Sequence, residues 1–295
     1  MMRSKNLIIG LVFCVTPVLL AAQNSPTAQN PLHRQYHEGE TLVYNMTAQN
    51  ESWHYTIRAN GIVKKDASGV WFEEYRWSDL VSDGQPTPLS PGSDAFRQRL
   101  SLDPDQNMTP PDLSNADAKL VGPALDLMTF YSDLWLVNKT GQLSHAGDHF
   151  YVKVGTPSSW ANGSQVVLGQ SSIDFDLTLK SVDPSGQTAV LVVRHVPPEK
   201  SQLTLPAAWM QTPVADTPNN WVQVVKLPGK FLASVGQETF TDELTVSLVD
   251  GRILSASMHN PVKTITRMCS DEALTQCDPP QPHEILREIQ IVLVQ

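Results

Sequence analysis

Leu42, Tyr44, Met46 and Ala48 alternate with Thr41, Val43, Asn45 and Thr47, and the same two-residue period returns in Trp53, Tyr55, Ile57 and Ala59 after a turn near Gln49-Asn50-Glu51. Successive side chains of a strand point to opposite faces, so each stretch predicts a strand with one buried face. Residues 62–65 and 70–77 flank Asp66-Ala67-Ser68-Gly69, a four-residue turn signal, which continues the run as a meander. The pattern returns at 96–102, at Phe150, Val152 and Val154, and most cleanly at Ile173, Phe175, Leu177 and Leu179. Residues 188–195 are nearly all apolar and predict a strand buried on both faces. Short strands are expected at 221–227 and 231–235. Leu244, Val246 and Leu248 lead through Asp250-Gly251 into 253–258, a strong hairpin signal, and a strand at 285–294 follows.

One stretch breaks the period. Residues 123–137, PALDLMTFYSDLWLV, read as a helix, with Gly122-Pro123 at its start and Gly141 suited to a left-handed cap at its end. Leu125, Leu127, Met128, Tyr131, Leu134 and Trp135 cover most of its circumference. Asp126, Thr129 and Asp133, with Ser132 beside them, leave a narrow polar stripe. So narrow a stripe predicts burial on several sides. The expected fold is therefore mainly β: an antiparallel curved sheet or open barrel around one central helix. A two-sheet β-sandwich with a crossover helix is the alternative.

Composition adds a compartment. Residues 1–22 combine Arg3 and Lys5, an apolar run at 7–20 and the small pair Ala21-Ala22, the pattern of a signal peptide. Residues 23–35 are polar and predict a flexible tether, leaving 36–295 as a single β-rich domain. The apolar run is short for a membrane span, and Gln23 stands where a lipoprotein would carry cysteine, so the mature chain is expected to lack a membrane span. A formal charge of −9 with no basic cluster argues against nucleic acid as a partner. The 22 prolines suit a β protein with long loops better than a helical bundle. Of three cysteines, Cys14 falls in the signal, which leaves Cys269 and Cys277 as a disulfide expected to contribute about 2.5 kcal/mol.

Candidate chemistry is sparse. His145 and His149 have the spacing of metal ligands on a helix, but Gly147 puts them in a turn entering a strand. Asp174 and Asp176 share one face of a strand, with Thr178 and Lys180 marking it as the wet side. These four are weak metal candidates, and neither a metal nor another cofactor is expected. Asp126 and Asp133 matter if their stripe lines a cavity; a solvated edge is the plainer reading. Trp160, Trp209 and Trp221 fall in or beside loops, where aromatics form the mouth of a binding site or plug the end of a barrel. Nucleophile elbows, zinc-protease helices, phosphate loops and dinucleotide fingerprints are all absent from the sequence, so no residue is assigned a catalytic role.

The segment Tyr36-His37-Glu38-Gly39-Glu40-Thr41-Leu42-Val43-Tyr44 resembles the opening strand of bacterial envelope β-proteins that begin with Gly-Glu-x-Leu-x-Tyr, and VSLVDGRILSA at 246–256 is similar in style. The resemblance implies a periplasmic curved sheet of the lipoprotein-carrier type. The combined expectation is an exported periplasmic or secreted protein, non-enzymatic, that binds or carries an apolar small molecule or engages an envelope protein. A secreted hydrolase or metal-dependent enzyme and an envelope structural or adhesion module are the rival readings.

Overall fold

A computed structural model describes residues 32–50, 53–108, 111–113, 116–155, 159–162, 165–169, 172–200 and 203–294, with 159–162 and 165–168 as backbone only. The signal segment 1–22 and the first part of the tether lie outside the described residues. Fifteen strands among the described residues hydrogen-bond into one antiparallel sheet that does not close, with one α-helix. This is the open curved sheet with a central helix, and because all strands join one sheet, the sandwich alternative is set aside.

The first strands form the expected meander: β1 (Thr41–Gln49), β2 (His54–Lys65) and β3 (Trp71–Ser82), with short β4 (Gln85–Pro86) and β5 (Gln98–Leu100) on the outer edge of β3. After the helix α1 (Ala118–Thr140) come β6 (His149–Gly155), β7 (Ser159–Asn162), β8 (Gln165–Gly169), β9 (Ser172–Asp183) and β10 (Thr188–Val196). β11 (Trp221–Leu227), β12 (Lys230–Glu238), β13 (Thr241–Ser247), β14 (Ile253–Cys269) and β15 (Gln281–Leu293) follow.

β14 is the strand on which the sheet divides. Its first half pairs with β13 and its second half with β12, while β15 runs along its other side. Beyond β13 the sheet continues through β10, β9 and β6; beyond β12 it continues through β11, β8 and β7. The division falls at Asn260-Pro261. The Pro261 carbonyl accepts from the Thr239 N–H at 3.3 Å, so its missing N–H faces the gap between the end of β12 and the start of β13. A proline is tolerated there because no ladder bond is lost. The Asn260 side chain seals the gap, donating to the Thr239 carbonyl at 2.7 Å and accepting from Arg287 at 3.0 Å. The hydrophobic pattern predicts a strand ending at 258; the strand passes through the proline for this reason.

Each branch has its own core. The main core collects the inward residues of β1–β3, β9, β10 and β13–β15 against Leu120, Leu127, Phe130, Leu134 and Val137 of α1. The other branch, an arm, packs Val222, Ala233 and Val235 against Met210, Leu274 and the Cys269–Cys277 disulfide. Converting both cysteines to alanine should remove about 2–3 kcal/mol. Hydrogen exchange should show the loss in 221–238 and 265–277 while 41–65 stay protected.

α1 begins earlier than 123. Asp117 caps it, accepting from the Lys119 N–H at 2.9 Å and the Ser90 N–H at 2.5 Å, and Pro123 lies one turn inside. Gly141 ends it at φ 58°, its N–H bonded to the Val137 carbonyl at 3.1 Å. The expected tether also stops short of 35. Leu32 is fully buried in the main core, the Gln35 N–H bonds the Asp250 carbonyl at 2.8 Å, and the His33 backbone lies so close to Gly251 that a Cβ there would meet it at 2.5 Å. Arg34 completes this strap. Its guanidinium lies 2.9 Å from Glu73 and 2.8 Å from Glu40, and Glu73 also accepts from the hydroxyls of Tyr75 and, on α1, Tyr131. Polarity along 23–35 hides the one apolar anchor and the one arginine that hold its end.

Candidate functional site

Between α1 and the β6–β9 edge of the sheet lies a cavity of about 450 Å³. The helix contributes Met128, Thr129, Ser132, Asp133, Trp135 and Leu136, positions that recur about a turn apart on one face and border the main core. The sheet contributes Val154, Ile173, Phe175 and Phe240, and the loop before the helix contributes Asn107 and Met108. That loop is held over the cleft by Trp135, whose indole N–H lies 2.9 Å from the Gln106 carbonyl and 3.2 Å from that of Asp103. The lining is mostly thioether, aliphatic and aromatic, with few polar groups, as in small-molecule sites.

Asp133 stands at the floor. It is 2% exposed, and it hydrogen-bonds across the helix–sheet interface to Asp242 of β13, which is fully buried. Two carboxyl groups can bond to each other only with a proton between them. Burial pushes Asp133 up to about 7 and Asp242 well above the usual carboxylate range, with the neighbouring acid raising Asp242 further. Among the described residues, no N–H or hydroxyl donates to Asp133 Oδ2 or to either Asp242 oxygen. His195 and Phe240 stack near this end of the cleft with ring centroids 5.3 Å apart, and burial lowers the basicity of His195.

Asp126, the other acid of the stripe, lies in a different environment. Arg287 reaches it at 2.7 Å and the Tyr55 hydroxyl at 3.2 Å, beside a smaller cavity of about 290 Å³ lined also by Trp53, Lys119 and Pro123. Burial raises its pKa, and Arg287 opposes that rise. The solvated edge is therefore not found: Asp126 and Asp133 are both buried, because the curved sheet covers even the polar stripe of the helix.

The remaining candidates lie elsewhere. His145 is exposed in a turn whose Ser144 and His145 N–H groups bond Asp148 at 2.7 Å. His149 lies 2.6 Å from Asp176, which also faces Arg194 at 3.4 Å, and Lys153 lies 3.5 Å from Asp174. These are cross-strand ion pairs between β6, β9 and β10, and none of the four residues lines the cleft. Among the described residues, no group of three or more His, Cys, Asp or Glu could hold a metal ion. Trp209 belongs to the arm core, with its indole N–H 3.0 Å from the Leu274 carbonyl and Arg267 over its ring. Trp221 covers Gly236, where a Cβ would meet the indole at 2.4 Å. Trp160 falls on β7, and its side chain lies outside those described. The three tryptophans therefore bring no described group to the cleft. Sequence reasoning missed Asp242, Phe240 and His195, although the alternation of Leu244 and Val246 extended back one step places Asp242 on the inward face.

A scan against protein-family models and a search of curated proteins both return no match. No helix among the described residues is long and apolar enough to cross a membrane.

Proposed function

We propose that this chain is an exported, non-enzymatic carrier that holds an apolar small molecule in the cleft between α1 and the β6–β9 edge. The observation that carries the reading is the lining: Met108, Met128, Trp135, Ile173, Phe175 and Phe240 enclose about 450 Å³ with few polar groups. That volume lies within the usual range for small-molecule sites. The open edge of the sheet gives the ligand a path in, and the cleft is bordered by a loop and a helix face rather than by a catalytic constellation. The Cys269–Cys277 disulfide and the signal-like segment 1–22 support an oxidising location.

The test is titration with a neutral apolar fluorophore, N-phenyl-1-naphthylamine, with native mass spectrometry of the purified protein. One equivalent should bind. Ser132→Trp places an indole in the cleft from a half-buried helix position, and should weaken binding by about tenfold or more while Tm moves by only a few degrees. Equal binding by the wild type and Ser132→Trp would sink the assignment of the cleft.

A further inference from the structure

We infer that the cleft selects a cationic amphiphile: an apolar chain or ring system carrying a protonated amine, whose ammonium is held by the Asp133–Asp242 carboxyl pair. This rests on the carrier reading above and adds the head group to it.

The argument begins with unmet acceptors. Asp133 Oδ2 and both Asp242 oxygens lack an N–H or hydroxyl donor among the described residues, although both side chains are at least 98% buried. Buried polar atoms are nearly always hydrogen-bonded; Asp133 lines the cavity with Asp242 behind it, so acceptors left this way beside a cavity point to a donor that arrives with a ligand. An ammonium group carries three N–H donors and no acceptor, which complements a pair that offers only acceptors beyond its one shared proton. A carboxylate head would meet like charge, and a hydroxyl would supply one donor. With one proton shared, the pair carries a single negative charge, which an ammonium neutralises inside an apolar surround. The walls fit the same guest. Phe175 and Phe240, with centroids 6.0 Å apart, and Trp135 present aromatic surface that attracts cations, while Met108 and Met128 adapt to an apolar body.

The arrangement is specific to this end of the helix. Asp126 is already satisfied by Arg287 and Tyr55. Asp174 and Asp176 are paired with Lys153, His149 and Arg194. Among the described residues Asp133 and Asp242 face no such cation: His195, beside Phe240, is held toward its neutral form by burial. The acidic chain as a whole favours the approach of a cation.

The experiment is competition against bound N-phenyl-1-naphthylamine at about pH 8 by dodecylamine, dodecanol and dodecanoate, which share one chain and differ in the head. Dodecylamine should displace the fluorophore about tenfold more tightly than dodecanol, with dodecanoate weakest. In the double variant Asp133→Asn with Asp242→Asn, which removes the negative charge that either single variant would keep, the amine-to-alcohol ratio should fall to within about twofold of unity. An amine no better than the alcohol in the wild type, or a preference that survives both substitutions, overturns the head-group inference and leaves the apolar cleft standing. Failure of the fluorophore and of all three competitors to bind overturns the carrier reading as well.

Discussion

Arg34→Ala should lower folding stability by about 3–5 kcal/mol, because it strands a buried carboxylate without a cation. Glu73 is 1% exposed and lies under the strap, the sheet and the helix at once. Its other donors, the hydroxyls of Tyr75 and Tyr131, are neutral and cannot replace a guanidinium charge. The deficit should be read from urea unfolding at fixed pH. A second change locates the cause: Arg34→Met with Glu73→Leu should recover much of the loss, since a buried ion pair can be replaced by apolar groups when both partners go. A loss that persists in the double variant would assign it to the packing of the strap instead.

The opposite sign is expected at the floor of the cleft. Asp242→Asn should stabilise the protein at about pH 8, by about 2–4 kcal/mol or roughly 5–10 °C in Tm. The sign follows from proton counting. Burial raises both carboxyls of the Asp133–Asp242 pair, so between the ordinary carboxylate range and about 7 the folded protein holds protons that the unfolded chain has released. Stability from this pair is therefore complete in acid and is lost as pH rises through the folded-state value. Asparagine at 242 has no proton to lose and offers an N–H to Asp133. The two proteins should converge only below about pH 3, where both carboxyls are protonated in the folded and in the unfolded chain. An Asp242→Asn protein less stable than the wild type at pH 8 would show that the pair is ionised in place and held by something else.

These two predictions concern residues that differ in how visible they are along the chain. The inward phase of β1, β2 and β9 is plain, since apolar residues recur at nearly every second position, with Val43 and Ile62 the apolar residues on the other face. The helix is plain too, although its start is displaced: Pro123 draws the eye as a first-turn residue, while the working cap is Asp117. Asp133 is suspect from its place in a narrow polar stripe. Asp242 escapes because an acid two residues before Leu244 looks like the polar end of a strand, and only the packing of β13 against α1 brings it to Asp133. Glu73 escapes for a related reason, as Glu73 and Glu74 stand together in β3 and both are buried, Glu73 inward under Arg34 and Glu74 beneath Lys64 and Arg99. The division of the sheet at Pro261 is hidden because a proline ordinarily ends a strand. The cleft itself has no linear signature, for Met108, Met128, Phe175 and Phe240 are gathered from four separate segments.

The seam of the sheet joins remote parts of the chain. Tyr44 pairs with Leu293 and Gln49 with Glu288, so β1 gains its second neighbour only when β15 has been made. Until then, the N-terminal meander presents a bare, hydrogen-bonding flank, and the hollow that receives α1 lacks one wall. Pairings this distant carry a large loop-closure entropy and make for slow folding with exposed intermediates. Nearly all of the chain is thus translated before the ladder between its first and last strands can form.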